Sequence, residues 1–351
     1  MPYPPPNTFS EAKLDRDQAA AYLQRIALPV SLLDESPSLE QLSKVQLSHL
    51  EHVPKDTSPL HVTEDQWSGP NTPIKLSSNF PGMPVGVAAY QRIVEQNKGA
   101  FCFAVNAVFA TLLRTLGYRV SELGSRAYKA LGNDPRTHEA GWLWGSITHE
   151  VLIVDWPGSE ERYIVDAMWG PWSLAKPIRL IHGETIQGLN RFEAYQVLHE
   201  PLPQSPGMPK PIDSIDGWTL YRRITPTGTP ITLPIDEKNP TPGAYWSPLF
   251  HMLPISVPVL DFGLFHHYSA SHPLASFTAF WLVTKLIPGG GGARLSMMYT
   301  EREGDDEKKA KVYVTGGEEG QGSEEGREVR WVPMQTVPMR EFLEKEFDYK
   351  F

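Results

Sequence analysis

Asn97 to Gly117 reads NKGAFCFAVNAVFATLLRTLG, and the rest of the chain is arranged around it. Its apolar positions, Phe103, Val105, Val108, Phe109, Leu112, Leu113 and Leu116, recur mostly at intervals of three and four, the spacing of a buried helix face. Gly117 stands where a helix C-cap glycine would stand. The single cysteine of the chain, Cys102, falls at or near the first turn of this helix. Free backbone N–H groups and the helix dipole favour a thiolate there, the form that attacks carbon. Such a position suits a nucleophile. It also suits inert packing, because free cysteines are among the most buried residue types.

A thiol nucleophile needs a base nearby, and the base needs a third group to orient it. After Gly117 the periodicity changes from helix to strand. Ser146 to Val154 (SITHEVLIV) and Arg162 to Ala167 (RYIVDA) read as two strands joined across the turn pair Pro157-Gly158, a β-hairpin. His149 lies on the first strand and Asp166 near the end of the second, so closing the hairpin brings them near pairing distance. A carboxylate within the apolar run of Tyr163, Ile164, Val165 and Ala167 is costly without a partner, and a facing histidine supplies one. Packing the Cys102 helix on this hairpin would assemble a triad of Cys102, His149 and Asp166.

The other residues capable of chemistry offer less. Among eleven histidines, His138 sits in a turn-rich connection with no orienting strand neighbour. His266 and His267 are adjacent, which on a strand sends them to opposite faces, and they lack metal-ligand spacing. The glycine run 289–292 is not followed by Gly-Lys-Ser/Thr, so it is no phosphate loop. No metal site is expected.

Composition narrows the function classes. Lys and Arg number 32 against 41 Asp and Glu, a formal net charge of −9, which leaves no electrostatic footprint for nucleic acid. One cysteine cannot form an internal disulfide, and a reducing compartment, the cytoplasm, is the expected home. The opening MPYPPPNTFSEAK has neither the basic nor the apolar region of a secretory signal. The longest charge-poor stretch, Gly243 to Leu260, contains Pro248, Pro254, Pro258 and His251, which argues against a membrane helix. The 351 residues are enough for two or three subdomains, and 33 prolines argue for short elements and ordered loops.

The pattern along the chain predicts an α+β fold in three parts. Residues 1–117 form a helical domain carrying Cys102. A proline-rich tail leads into a short helix begun at Ser10, then Asp15 to Arg25, Ser38 to His52 ended by Pro54, and Val87 to Gln96, with loop and a short strand over Asp56 to Gly86. Residues 118–230 form a β-barrel domain carrying His149 and Asp166, with further strands at Tyr118–Leu123, Ile178–His182, Ala194–His199 and Trp218–Ile224. Residues 231–351 form an α/β lid. It contains an apolar, proline-broken Gly243–Phe265, a more polar His266–His272, and strands at Phe277–Leu286, Leu295–Thr300 and Lys311–Thr315. An acidic hairpin tip at 316–327 and a closing helix from Val337 complete it.

The residues around all three triad positions resemble the arylamine N-acetyltransferases, with a divergence like that of fungal members. That family carries Arg-Gly-Gly-x-Cys, an Asn four residues on, and a helix ending in Leu-Gly-Phe/Tyr. The chain has Lys98-Gly99-Ala100-Phe101-Cys102, Asn106 and Leu116-Gly117-Tyr118. Thr148-His149-Glu150-Val151-Leu152-Ile153-Val154 is similar to the family's His and aliphatic strand. Tyr163-Ile164-Val165-Asp166-Ala167-Met168-Trp169-Gly170 is similar to its Val-Asp-Ala/Val-Gly-Phe-Gly. Tyr22-Leu-Gln-Arg-Ile and Ser271-His272-Pro273 to Phe277 extend the likeness over about residues 20 to 350.

The resemblance implies a cysteine-protease-like core built by the first two domains, and ping-pong acyl transfer in xenobiotic detoxification. Cys102 would take an acyl group from acyl-CoA, acetyl-CoA by default and malonyl-CoA as in some fungal relatives, and an arylamine, arylhydroxylamine or hydrazine would attack the thioester. It further implies the backbone N–H of Phe103 at the oxyanion. The acceptor pocket would hold Phe101, Met168 and Trp169, and CoA contacts would come from Gly145, Ser146, Tyr268 and Ser276. Three departures stand out. Lys98 and Ala100 replace Arg and Gly, Met168-Trp169 replaces Gly-Phe, and Pro54-Lys55-Asp56-Thr57-Ser58 replaces Pro-Phe-Glu-Asn-Leu, removing an aromatic pocket wall. A malonyl donor would need a cation or strong donor near the acyl tail. Two other readings use the same residues: a Cys-His-Asp amidase or peptidase, and a non-catalytic relative with an altered pocket.

Overall fold

Residues 12–77, 82–170, 172–205, 215–236, 238–254, 257, 259–273, 275–300, 308–317 and 330–351 are described by a computed structural model. The proline-rich tail and all but the first two residues of the acidic 316–327 stretch lie outside them.

Helix Cys102–Thr115 runs through the first core. It ends as its sequence dictates: Gly117 takes φ +95°, and the Tyr118 N–H returns to the Leu113 carbonyl at 3.0 Å. Helix Arg16–Arg25 is held at its start by a reciprocal box between Asp15 and Gln18, and Leu39–His52 by Ser38, whose hydroxyl accepts from the Gln41 N–H. Ser10, the expected start of a short helix, lies outside the described residues, and residues 12–15 are non-helical. Tyr22, Leu23, Leu42 and Val45 close on Phe109, Leu112 and Leu113 in this core. Each such side chain, fully buried, contributes about 1.5–3 kcal/mol.

The second layer is an antiparallel eight-stranded sheet, curled into a nearly closed barrel. Its order is Ile178–Arg179, Tyr163–Val165, Trp144–Asp155, Arg119–Tyr128, Tyr245–Met252, Asp216–Ile224, Ala194–Pro201 and Thr185–Gln187. Trp144–Asp155 is buried on both faces: Leu152 and Val154 pack into the helical core, Val151 and Ile153 into the barrel. That strand joins the two layers.

The third layer is a five-stranded antiparallel sheet of Lys55–Asp56, Trp281–Leu286, Arg294–Tyr299, Lys309–Thr315 and Arg330–Pro333. Helix Thr336–Phe347 packs on it through Met339, Leu343 and Phe347.

Three expectations change. The barrel does not stop at 230, because Tyr245–Met252 is one of its inner strands, paired with Arg119–Tyr128 and Asp216–Ile224. Pro248 is tolerated there because the register shifts between Leu220 and Tyr221, directly across from it. His266 and His267 lie on a helix, Val259–Ser271, and the next strand begins only at Trp281, after a short helical turn at Ser276–Thr278. Finally, residues 55–67 supply two short helices beside the expected short strand, and that strand joins the third sheet as an edge.

Candidate active site

Cys102 is the first residue of its helix and 1% exposed. The approach to it is fixed by a buried network. Arg92 donates to Asp56 at 2.7 Å and to the Gly99 carbonyl at 2.7 Å, and both Arg92 and Lys98 reach Glu64. Gly99 is required by close approach: a Cβ there would run into the Pro54 carbonyl oxygen.

The hairpin register places the partners. Leu152 pairs with Val165, so extending the ladder sets Asp166 opposite Val151, two residues from His149 and on its face of the sheet. His149 Nε2 meets Asp166 Oδ2 at 3.0 Å. Asp166 is fully buried, and its other oxygen accepts from the Met168 N–H at 2.9 Å and from Asn106 Nδ2 at 3.3 Å. Asn106, one turn along the Cys102 helix, also donates to the Glu150 carbonyl at 2.6 Å and accepts from the Ala167 N–H at 2.9 Å. One amide therefore ties the nucleophile's helix to both strands of the hairpin.

With Nε2 committed to Asp166, Nδ1 is the nitrogen left for the thiol. Cys102 Sγ donates to the Thr148 carbonyl at 3.5 Å, which seats it against the residue preceding the base. Burial of the imidazole lowers its pKa. The Asp166 carboxylate, by charge and hydrogen bond, and the Cys102 sulfur outweigh that and raise it to about 9. At neutral pH the imidazole is therefore favoured in its protonated form. Trp169 meets the His149 ring edge-on at 4.6 Å and Phe250 packs against it at 5.0 Å, which fixes the ring plane.

His149 and Thr148 open on a cleft of about 370 Å³, a size suited to a small ligand. Trp169, Trp172, Phe277 and Phe280 make it aromatic, and Lys55, Lys129 and Ser276 make it polar. Of the other expected site residues, Trp169 and Ser276 line this cleft. Phe101 is fully buried, stacked on His266 at 5.1 Å, and Met168 is packed in the helical core. Phe103 is the second residue of the helix, so its N–H belongs to the first turn, which has no acceptor within the helix. Gly145 offers its carbonyl to Arg126, Ser146 is exposed beside it, and Tyr268 stacks on His272 at 4.6 Å. His138, the rival base, is held in a turn where its Nδ1 accepts from the Ala140 N–H.

An N-acetyltransferase family model matches residues 38–201, which contain all three triad positions. The arylamine N-acetyltransferase of Mycolicibacterium smegmatis is 26% identical over 56% of this chain and 58% of its own length. Over these residues the chain is similar to arylamine N-acetyltransferases. An N-malonyltransferase of Fusarium pseudograminearum is 23% identical over 80% of this chain and 76% of its own. The match with the first of these relatives spans a little over half of its length. Among solved structures, the arylamine N-acetyltransferase of Salmonella typhimurium superposes with a TM-score of 0.63 at 18% identity, covering 96% of this chain and 92% of that one. That of Mycobacterium marinum in complex with CoA gives 0.58 at 19% identity, covering 94% and 92%. These likenesses show a shared fold.

Sequence reasoning overlooked Lys55 and Lys129 as wall residues. Lys55 appeared only in the stretch that loses an aromatic, and no pattern singled out Lys129.

Proposed function

We propose that this protein transfers an acyl group from acyl-CoA, acetyl-CoA or malonyl-CoA, to a small aromatic amine, arylhydroxylamine or hydrazine through a thioester on Cys102. The observation that carries the reading is the buried Cys102–His149–Asp166 relay opening on an aromatic cleft too small for a folded protein substrate. The sulfur of Cys102 attacks the thioester carbonyl, and the CoA thiolate leaves with the imidazolium proton. The first-turn N–H of Phe103 holds the oxyanion. The amine then attacks the acyl-enzyme, its proton passes to His149, and Cys102 is released. Asp166 holds the His149 tautomer and its charge throughout. Trp169 borders the acceptor ring, and Ser276, with Gly145, Ser146 and Tyr268 further out, receives the CoA arm.

The test is free CoA release from acetyl-CoA or malonyl-CoA with an arylamine acceptor, with Cys102→Ala as control. Acceptor-dependent release that vanishes in the variant is expected. Hydrolysis of simple amides without CoA, and no CoA release, would hand the site to an amidase.

A further inference from the structure

Transfer of a plain acetyl group leaves Lys55 without a task. It stands on the short strand Lys55–Asp56, paired with Trp281–Leu286 on one side and bridged to Ala100 on the other. The Asp56 N–H donates to the Ala100 carbonyl at 2.9 Å, so Lys55 runs beside the segment that ends two residues later in Cys102. Adjacent strand residues face opposite ways. Asp56 turns to Arg92, and Lys55 turns into the cleft that His149 lines. Its ammonium donates to the Trp169 carbonyl at 3.1 Å and lies 4.8 Å over the Phe277 ring.

Trp169 is also the residue packed on His149, so a single residue separates this cation from the base. An ammonium has three donors, and a carbonyl and an aromatic face do not neutralise it. Among the described residues no carboxylate forms an ion pair with it. Burial holds its pKa below the ordinary lysine value, and the Cys102 and Asp166 charges oppose this only in part. The other lysine of the cleft, Lys129, is engaged with the Ser276 hydroxyl at 2.8 Å.

We propose that Lys55 selects the acyl donor, its ammonium binding the free carboxylate of a dicarboxylic acyl thioester such as malonyl-CoA while Cys102 attacks the thioester carbonyl. The assignment rests on the acyltransferase reading above. The bonds balance as for any acyl group: S–C forms to Cys102 and breaks to CoA, which leaves as the thiol. The amine then displaces Cys102 to give an N-malonyl amide. The distal carboxylate stays ionised against Lys55 through both steps and takes no part in bond making.

The experiment compares kcat/KM for malonyl-CoA and acetyl-CoA, each with 4-anisidine, in the full-length protein and in Lys55→Met and Lys55→Arg. A charge-assisted hydrogen bond is worth roughly 1.5–3 kcal/mol, or about 10- to 100-fold. The malonyl-to-acetyl ratio falls by that factor in Lys55→Met and is held by Lys55→Arg. On the unaltered protein, the methyl ester of malonyl-CoA, larger but neutral, transfers more slowly than malonyl-CoA itself, a result independent of how the variants fold. An unchanged ratio in a folded Lys55→Met, or equal rates for ester and acid, overturns the assignment. A change that follows 4-aminobenzoate against 4-anisidine, and not the donor, overturns it too and moves the carboxylate to the acceptor. An unchanged ratio while transfer persists sinks only this proposal. No acyl adduct on Cys102 from either donor sinks the acyltransferase reading as well.

Discussion

At the scale of single residues, the charge on His149 is the variable to perturb. Its pKa is raised to about 9, chiefly against burial and by Asp166. A raised histidine pKa means that the stability from this pairing is full below the ordinary value near 6.5 and is lost as pH rises through about 9. Donor-dependent CoA release should therefore fall on an alkaline limb in the same range. In Asp166→Asn the imidazolium loses its counter-charge, so that limb moves to lower pH and acylation slows by roughly 10²-fold or more. Rapid mixing with the donor at stepped pH reads both effects, and an unmoved limb would take Asp166 out of the relay. Next to the base, Glu150 faces the helical core with Oε1 unpartnered, and burial, then Glu122 and the Cys102 charge, hold its pKa well above the ordinary 4.5. The folded state then keeps a proton that the unfolded chain releases, and stability declines as pH rises above that ordinary value. Glu150→Gln keeps the shape without the proton. Its melting temperature should decline less with pH than that of the unaltered chain, and parallel curves from thermal melts would refute the account.

At the scale of elements, the Cys102 helix was legible because its burial is almost all-round, so periodicity and a closing glycine agreed. The hairpin was legible because a histidine and an aspartate on otherwise apolar strands had to be explained by each other. Tyr245–Met252 escaped because Pro248 contradicts a strand unless a bulge adjoins it, and the extra residue, Leu249, shows only once the strand is paired with Asp216–Ile224. Helix Val259–Ser271 escaped because two adjacent histidines carry no period, and only packing tells that His266 stacks on Phe101. The role of Lys55 escaped for a related reason, since it depends on a bridge to Ala100 that no local pattern announces. That bridge yields a prediction. Gly99→Ala sets a methyl against the Pro54 carbonyl and within 2.8 Å of the Asp56 Cβ, so the edge strand must retreat from the nucleophile's loop. Overpacking of this kind costs about 1–3 kcal/mol, readable as a lower urea midpoint with slower alkylation of Cys102 by iodoacetamide. Gly263→Ala, at an exposed helical position with nothing within 4 Å of the added methyl, should instead stabilise by about 0.5–1 kcal/mol. Equal midpoints for the two variants would contradict the packing argument.

At the scale of the whole molecule, the three layers divide the labour. The helical core and the barrel hold Cys102, His149 and Asp166 between them, with Asn106 as the pin. The third sheet supplies the facing wall of the cleft, through residues that include Leu282, Met298 and Tyr313. Its core is separate from the other two: Trp281, fully buried, meets Trp67 edge-on at 5.9 Å among residues of the third layer alone. Nucleophile and ligand wall should therefore respond differently to damage. Trp281→Ala leaves a large cavity in the third core at a cost of about 3–5 kcal/mol, distributed over a sheet that lines the cleft and reaches the Cys102 segment only through its edge strand Lys55–Asp56. The expected result is weaker CoA binding by calorimetry, with iodoacetamide still alkylating Cys102 at close to its original rate. In the unaltered protein, CoA at 100 times its Kd should add about 2.7 kcal/mol of stability, since the ligand binds a cleft that exists only when all three layers are assembled. If Trp281→Ala slows alkylation as much as it weakens CoA, the cores are not independent, and the triad is held by the third sheet as well as by the first two layers.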